Sequence, residues 1–302
     1  MNKINQLITE TSHPKSIHLD EMSINEILQL MNEEDQYIPR VIASVLTEIE
    51  AAVEAVHHTF NQGGRLFYVG AGTSGRIGLL DAVECPPTFG TSQDMVQAVM
   101  AGGDKALVHA IEGAEDNLEL GKKDLENRSL TEKDVVIGIA ASGRTPYVKG
   151  ALMYANEVNA TTISLTSNKD ADISDYAQIK IEAETGPEIL TGSTRLKAAT
   201  AHKMILNMIS TASMIKQGKV YKNLMVDVHA TNYKLRERAK TIVQEATNVT
   251  YEEAETVLIE TDFAVKPAIV MLLAGVDYDE AKAALHNNSG YVKEAIKDLT
   301  KN

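Results

Sequence analysis

The chain has 302 residues, 44% apolar and 24% charged, enough for about two globular domains with a sizeable core. Its 29 Lys and Arg face 42 Asp and Glu, a net charge of −13, which argues against broad nucleic-acid binding but leaves room for a local phosphate pocket. Cys85 stands alone, which excludes an internal disulfide and any multi-cysteine metal site. No apolar run approaches the ~20 residues of a membrane span, and the opening MNKINQLITETSHPKS is too polar for a signal peptide, so a soluble cytoplasmic protein is expected.

Residues 1–20 are polar, contain Pro14 and show no apolar period, so they read as a poorly specified arm. From Ser23 onward Ile24, Ile27, Leu28 and Met31 recur at helical spacing. The same spacing continues from Ile38 to Val56 and predicts one long helix stopping near Gly63-Gly64. The period then shortens. Leu66–Val69, Met95–Val99, Val135–Ile139, Thr161–Leu165 and Ile179–Ile181 read as strands. Between them Arg76–Val83, Ala106–Leu125 (with a candidate break at Gly113) and Tyr147–Val158 read as helices. Strand–helix alternation predicts a parallel sheet with helices on both faces, its ligand outside the carboxyl ends of the strands. Ser193 to Ile215 reads as a further helix, followed by a basic amphipathic stretch through Lys240. Four short helical segments follow: Ala254–Ile259, Val265–Leu273, Tyr278–Leu285 and Tyr291–Leu299. The expected division is a helical arm over 1–50, an α/β domain over 51–225, and a helical connector with a C-terminal bundle over 226–302.

The strongest local signal is Gly70-Ala71-Gly72-Thr73-Ser74-Gly75-Arg76, directly after a predicted strand. It matches G-x-G-x-x-G, but no acidic residue ends the next strand to hold a ribose, and no Gly-Lys-Ser/Thr follows, so the dinucleotide and Walker readings are weak. A glycine turn with two hydroxyls at a helix N-terminus suits a phosphate monoester. The competing reading is a tight turn whose hydroxyls only cap the helix. A second segment, Ala141-Ser142-Gly143-Arg144-Thr145-Pro146, has the same character after the strand Val135–Ile139. Gly72, Thr73, Ser74, Gly75, Ser142, Gly143 and Thr145 are therefore the candidate phosphate holders. Arg76 and Arg144 read equally well as helpers or as solvated charges.

Two carboxylates stand out. Glu84 precedes Cys85-Pro86-Pro87, where the prolines are expected to end the helix and turn the chain. Glu115 lies in the small-residue break Gly113-Ala114-Glu115-Asp116. Either alone reads as a surface charge at a helix end. His109 and Glu112 have metal-like spacing without a third ligand, and no cofactor is implied. His202 reads as a ring-opening group or, more simply, a core histidine.

The runs Tyr68–Arg76, Asp81–Pro87, Gly113–Asp116 and Ala141–Pro146 resemble the N-acetylmuramic acid 6-phosphate etherases of the sugar isomerase (SIS) superfamily, relatives of the glucokinase regulatory protein. The resemblance runs from about Leu19 to the C-terminal helices. It implies a five-stranded parallel sheet sandwiched by helices, a homodimer, and C-terminal helices like a small ubiquitin-associated bundle. It also implies cleavage of the D-lactyl ether of N-acetylmuramic acid 6-phosphate by water, giving N-acetylglucosamine 6-phosphate and D-lactate, in cell-wall sugar recycling. Glu84 matches the family's acid and Glu115 its second catalytic carboxylate. That chemistry needs a base at C2 and an acid at the C3 oxygen, a split that burial and proximity of two glutamates can produce. Two other readings stay open on the sequence: an aldose–ketose isomerase of an amino-sugar phosphate, and a sugar-phosphate-sensing regulator without turnover.

Overall fold

In the computed structural model, residues 7–109, 111, 113–228 and 232–301 are described. They form two compact units. The first comprises residues 1–83 and 94–210, and the second residues 84–93 and 211–302.

The first unit is built on five parallel strands: β1 (Leu66–Gly70), β2 (Val96–Met100), β3 (Val135–Ile139), β4 (Thr161–Thr166) and β5 (Ile179–Glu182). Their order is β2-β1-β3-β4-β5. The sequence predicts all five to within a residue or two at each end. Every residue of β1 and β3 is buried, as continuous apolar runs in the middle of a covered sheet should be. Register pairs Gly70 of β1 with Ile139 of β3, so the segments leaving these two strands start side by side, ~4.8 Å apart.

The helices of this unit are α1 (Ile24–Asp35), α2 (Ile38–Ala43), α3 (Leu46–Asn61), α4 (Gly72–Phe89, whose last residues count with the second unit), α5 (Lys105–Val108), α6 (Leu118–Asn127), α7 (Pro146–Glu157) and the greater part of α8 (Lys197–Lys216). Helix α7 packs on β1, β3 and β4 and carries α6, while α3 packs against β3 and β5. Glycine lets α6 and α7 approach: a Cβ on Gly121 would collide with the Tyr147 carbonyl, and one on Gly150 with that of Leu118.

Several boundaries differ from expectation. The long helix over 38–56 is two helices, interrupted at Ser44 and Val45, where the Ser44 hydroxyl bonds back to the Val41 carbonyl. The helix over 106–125 is broken, as the Gly113 signal suggested, into α5, a 3₁₀ turn at Ala114–Asp116 and α6. The arm is not poorly specified over its described part. Residues 8–21 hold three 3₁₀ turns, and Thr9, His13 and Ser16 are buried. Thr9 and Asn168 exchange two hydrogen bonds, and His13 lies 3.1 Å from Glu34, which also takes the Lys197 ammonium at 2.8 Å. The arm's partners Glu34 and Asn168 lie 21 and 159 residues away from His13 and Thr9, beyond any local periodicity.

The second unit is helical, with a short hairpin of β6 (Val220–Tyr221) and β7 (Leu224–Met225) that the sequence reading missed. Two-residue strands carry no period to detect. Helices α9 (Tyr233–Thr247), α10 (Tyr251–Glu260), α11 (Val265–Ala274), α12 (Tyr278–Asn287) and α13 (Val292–Thr300) follow. They enclose their own core, which includes Val243, Leu258, Ile269 and Ala281. Capping boxes at Thr250/Glu253 and Asp277/Glu280 fix two of the starts. Among the described residues no helix is long and apolar enough to cross a membrane.

Candidate functional site

The first glycine segment is tighter than a loop. Helix α4 begins at Gly72, not at Arg76, so Thr73, Ser74 and Gly75 form its first turn directly after β1. Close approach makes this possible. A Cβ on Gly75 would lie 2.9 Å from the Gly70 carbonyl oxygen, and one on Gly70 2.6 Å from the Gly75 nitrogen. The helix N-terminus therefore opens at the carboxyl edge of the sheet, where unpaired N–H groups favour an anion.

A cavity of about 210 Å³ lies at this edge, and Ala71, Gly72, Arg76, His109 and Glu115 are among the residues that line it. Glu115 sits in the 3₁₀ turn behind Gly113, whose φ of 76° swings the chain round. Arg76 is not a solvated charge: its guanidinium donates to the carbonyls of Ala106 and Leu107 at 2.8 and 3.1 Å, holding the segment after β2 that forms one wall. His109, whose spacing to Glu112 is metal-like without a third ligand, lines this cavity. Its presumed companion Glu112 lies outside the described residues. Among the described residues no group of three or more metal-ligating side chains occurs.

The second segment leaves β3 beside the first. Gly143 has φ 72°, and a Cβ there would collide with Ala171. Ser142 Oγ accepts from the Arg144 amide at 3.3 Å. Thr145 is the N-cap of α7, with Pro146 opening the helix, and its side chain makes no capping bond. Arg144 Nε is sealed from solvent without a partner. None of these residues lines the 210 Å³ cavity. The cavity thus gathers Gly72 and Glu115, while Ser142, Gly143 and Thr145 lie on the neighbouring segment.

Glu84 is exposed and belongs to the segment that counts with the second unit. The prolines do not stop the helix as expected. Helix α4 runs through Pro86 and Pro87 to Phe89, closed by the Gly90 amide on the Pro86 carbonyl at 2.9 Å. Each proline gives up its own N–H bond and crowds the carbonyl four residues back, and with only Thr88 and Phe89 beyond them that cost falls on the helix's last turn. Asp81, one turn earlier, is a functional-looking carboxylate that the sequence reading passed over. It is buried and accepts from Tyr68 Oη at 2.7 Å, Asn207 at 2.6 Å and Ser210 at 3.0 Å. Burial raises its carboxyl above the usual range against these bonds.

His202 is a core histidine. It is 1% exposed, its Nε2 lies 3.1 Å from Ser167 Oγ, and it bonds the Thr166 backbone. Burial lowers its pKa to about 4, so it stays neutral near pH 7 and out of reach of a ligand. The segment Thr191–Arg195 precedes α8, which starts at Lys197 rather than Ser193. Glu188 takes the first two amides of α8, from Lys197 and Ala198, each at 3.0 Å. Thr191 Oγ1 reaches Ser12 of the arm at 3.4 Å.

Comparisons with known proteins agree with this architecture. The family profile described as "Glucokinase regulatory protein N-terminal SIS domain" matches residues 48–156, and the one described as "SIS domain" matches residues 119–212. The fold resembles that of a phosphoheptose isomerase from Neisseria gonorrhoeae, with TM-score 0.51 and 16% identity over 63% of this chain and 99% of that one. An N-acetylmuramic acid 6-phosphate etherase of Geobacillus sp. (strain WCH70) is 58% identical over 97% of this chain and 99% of its own. One of Bacillus mycoides (strain KBAB4) is 57% identical over 97% of this chain and 100% of its own. With identity this high over nearly its whole length, the chain belongs to the N-acetylmuramic acid 6-phosphate etherase family and carries an SIS domain.

Proposed function

We propose that the protein cleaves the D-lactyl ether of N-acetylmuramic acid 6-phosphate with water, yielding N-acetylglucosamine 6-phosphate and D-lactate. The observation that carries this reading is the 58% identity, over 97% of the chain, to a relative of that name. The site gives it a physical course. The helix N-terminus at Gly72–Ser74 and the segment Ser142–Thr145 hold the 6-phosphate, so binding energy far from the reacting carbons fixes the sugar's orientation. In the ring-opened sugar the C1 aldehyde acidifies the C2 hydrogen. Glu115, on the wall of the cavity beside Gly72, takes that proton. Glu84 protonates the C3 oxygen as the C–O bond breaks and D-lactate leaves. Water then adds at C3 of the unsaturated aldehyde, and a proton returns to C2.

Both carboxylates are exposed in a single chain, whereas splitting their proton affinities needs cover. Glu84 also lies more than three turns into α4, about 18 Å along its axis from Gly72. A homodimer, in which each chain's carboxylates are covered by the other, supplies that cover. We read the protein as such a dimer, acting in the cytoplasm on recycled cell-wall sugar, with the helices of 226–302 as a ubiquitin-associated-like bundle. Incubation with N-acetylmuramic acid 6-phosphate and assay of D-lactate tests the reading, and absence of lactate sinks it. The roles separate by isotope exchange: Glu84→Ala should keep C2–H exchange with solvent and lose lactate release. Loss of exchange with lactate release retained would reverse the assignment.

A further inference from the structure

The N-terminal arm has no part in the chemistry above, yet its described residues are fastened to the chain that leaves β4 and β5 at the carboxyl edge of the sheet. Thr9, fully buried, meets Asn168, just past the end of β4 at Thr166. Ser12 receives the Thr191 hydroxyl at 3.4 Å, past the end of β5 at Glu182. His13 and the Lys197 ammonium share the buried Glu34 carboxylate, which secures the arm to α1 and to the start of α8. The ion pairs hold the arm in place. Asn168 links it to the second glycine segment.

The Asn168 side chain is 3% exposed, and both ends of its amide are in use. Nδ2 donates to the Ala141 carbonyl at 2.9 Å and to Thr9 Oγ1 at 3.0 Å, while Oδ1 accepts from the Thr9 amide at 3.4 Å. The carbonyl of Ala141 can only accept, so it fixes which way the amide faces. That carbonyl already receives the Ser167 amide at 3.0 Å. One bond is enough to offset its burial, and the second adds direction. With both lone pairs occupied, the plane of the Ala141–Ser142 peptide cannot turn freely. Peptide planarity then points the Ser142 N–H the opposite way, out of the pinned carbonyl's surroundings. Among the described residues that N–H has no acceptor, and the Ser142 hydroxyl beside it is engaged only by the Arg144 amide at 3.3 Å. An amide and a hydroxyl held side by side suit one phosphate oxygen each.

We propose that Asn168 is a positioning residue for the phosphate-holding segment, and that the N-terminal arm completes this support through Thr9. The proposal rests on the reading that Ser142–Thr145 helps to hold the 6-phosphate. Asn168 touches no substrate. It acts by fixing the direction of the Ser142 amide, and Thr9 acts by holding Asn168.

The test uses the full chain, with lactate release for kinetics and calorimetry with inorganic phosphate and N-acetylglucosamine 6-phosphate for binding. Asn168→Ala should raise KM about tenfold and change kcat by less than about twofold, because a weaker phosphate hold is lost alike from bound substrate and transition state. Both dissociation constants should rise in parallel. Thr9→Val keeps the shape of the arm and leaves the bond from Asn168 to Ala141, so it should show the same pattern at about two- to threefold. It also carries the test where Asn168→Ala does not fold. In the wild-type chain the Ser142 amide resonance should move on titration with N-acetylglucosamine 6-phosphate. A loss confined to Tm or to kcat, with KM and the dissociation constants unchanged in the folded variants, overturns the proposal, as does a Ser142 amide that stays still while the ligand binds. A wild-type chain that binds neither phosphate nor N-acetylglucosamine 6-phosphate removes the phosphate reading of the segment itself, and this proposal with it.

Discussion

The two glycine segments at the carboxyl edge of the sheet use the same residue types and build different things. After β1, the chain turns within Ala71 and is helical at once, because Gly70 and Gly75 let backbone touch backbone. Thr73 and Ser74 thereby sit in a helical first turn beside the cavity that Glu115 lines. After β3, the chain makes a wider turn around Gly143, and Ser142 is spent partly on its own backbone. The first segment is a helix terminus beside a cavity, and the second is a packed bracket. Ser167, its hydroxyl 3.1 Å from His202, supports that bracket through its amide on the Ala141 carbonyl at 3.0 Å. The lesson is that similar Gly/Ser/Thr strings assign binding and support only once their neighbours are known.

If this contrast holds, the largest effect belongs to the first cavity. Glu115→Gln should lower the rate of lactate release by about 10²–10⁴ while thermal unfolding is unchanged, since the side chain is exposed. A large fall in Tm would instead make Glu115 a structural residue. The second segment should fail through stability. Gly143→Ala combines a positive φ with a collision at Ala171 and should cost roughly 3 kcal/mol in chemical denaturation. An unaffected midpoint would show that the bracket yields more easily than drawn.

His202 sharpens the comparison through pH. Its folded pKa of about 4 lies below the ordinary value of 6.5, so the unfolded chain binds the proton more readily. The stability it contributes is complete above about pH 6.5 and is lost as pH falls toward 4, about 3 kcal/mol in all. Urea melts across that window should flatten in His202→Gln. An equal slope in both proteins would mean that the histidine titrates normally. The smallest effect separates the two hydroxyl sets. Ser74→Ala should raise KM for the phosphorylated substrate by several-fold, about 1 kcal/mol, and Ser142→Ala by less. The reverse order would make the second segment the main phosphate holder.

The sheet was legible because its strands are unbroken apolar runs bounded by glycine, and burial on both faces requires that composition. The glycine signals at Gly70, Gly75 and Gly143 were legible for a related reason: a Cβ at those positions would collide with its neighbours. Capping boxes such as Ser23/Glu26 were also present as S/T/D-x-x-E strings and would have sharpened several helix starts. What escaped were features set by distant partners. The ordered arm depends on Asn168 and Glu34, and the neutrality of His202 depends on its complete burial. The role of Arg76 depends on two carbonyls thirty residues on.

The order of residues by itself determined which segments become strands and helices, where backbone must approach backbone, and which hydroxyls and carboxylates are available, because these follow from local sterics and from the period of apolar side chains. Tertiary structure alone decided that Glu115 and the α4 terminus share a cavity, that His202 is sealed away, and that Lys219 and Lys266 compete for one carboxylate. Those outcomes depend on burial and on charges brought together from separate parts of the chain, which only packing can set.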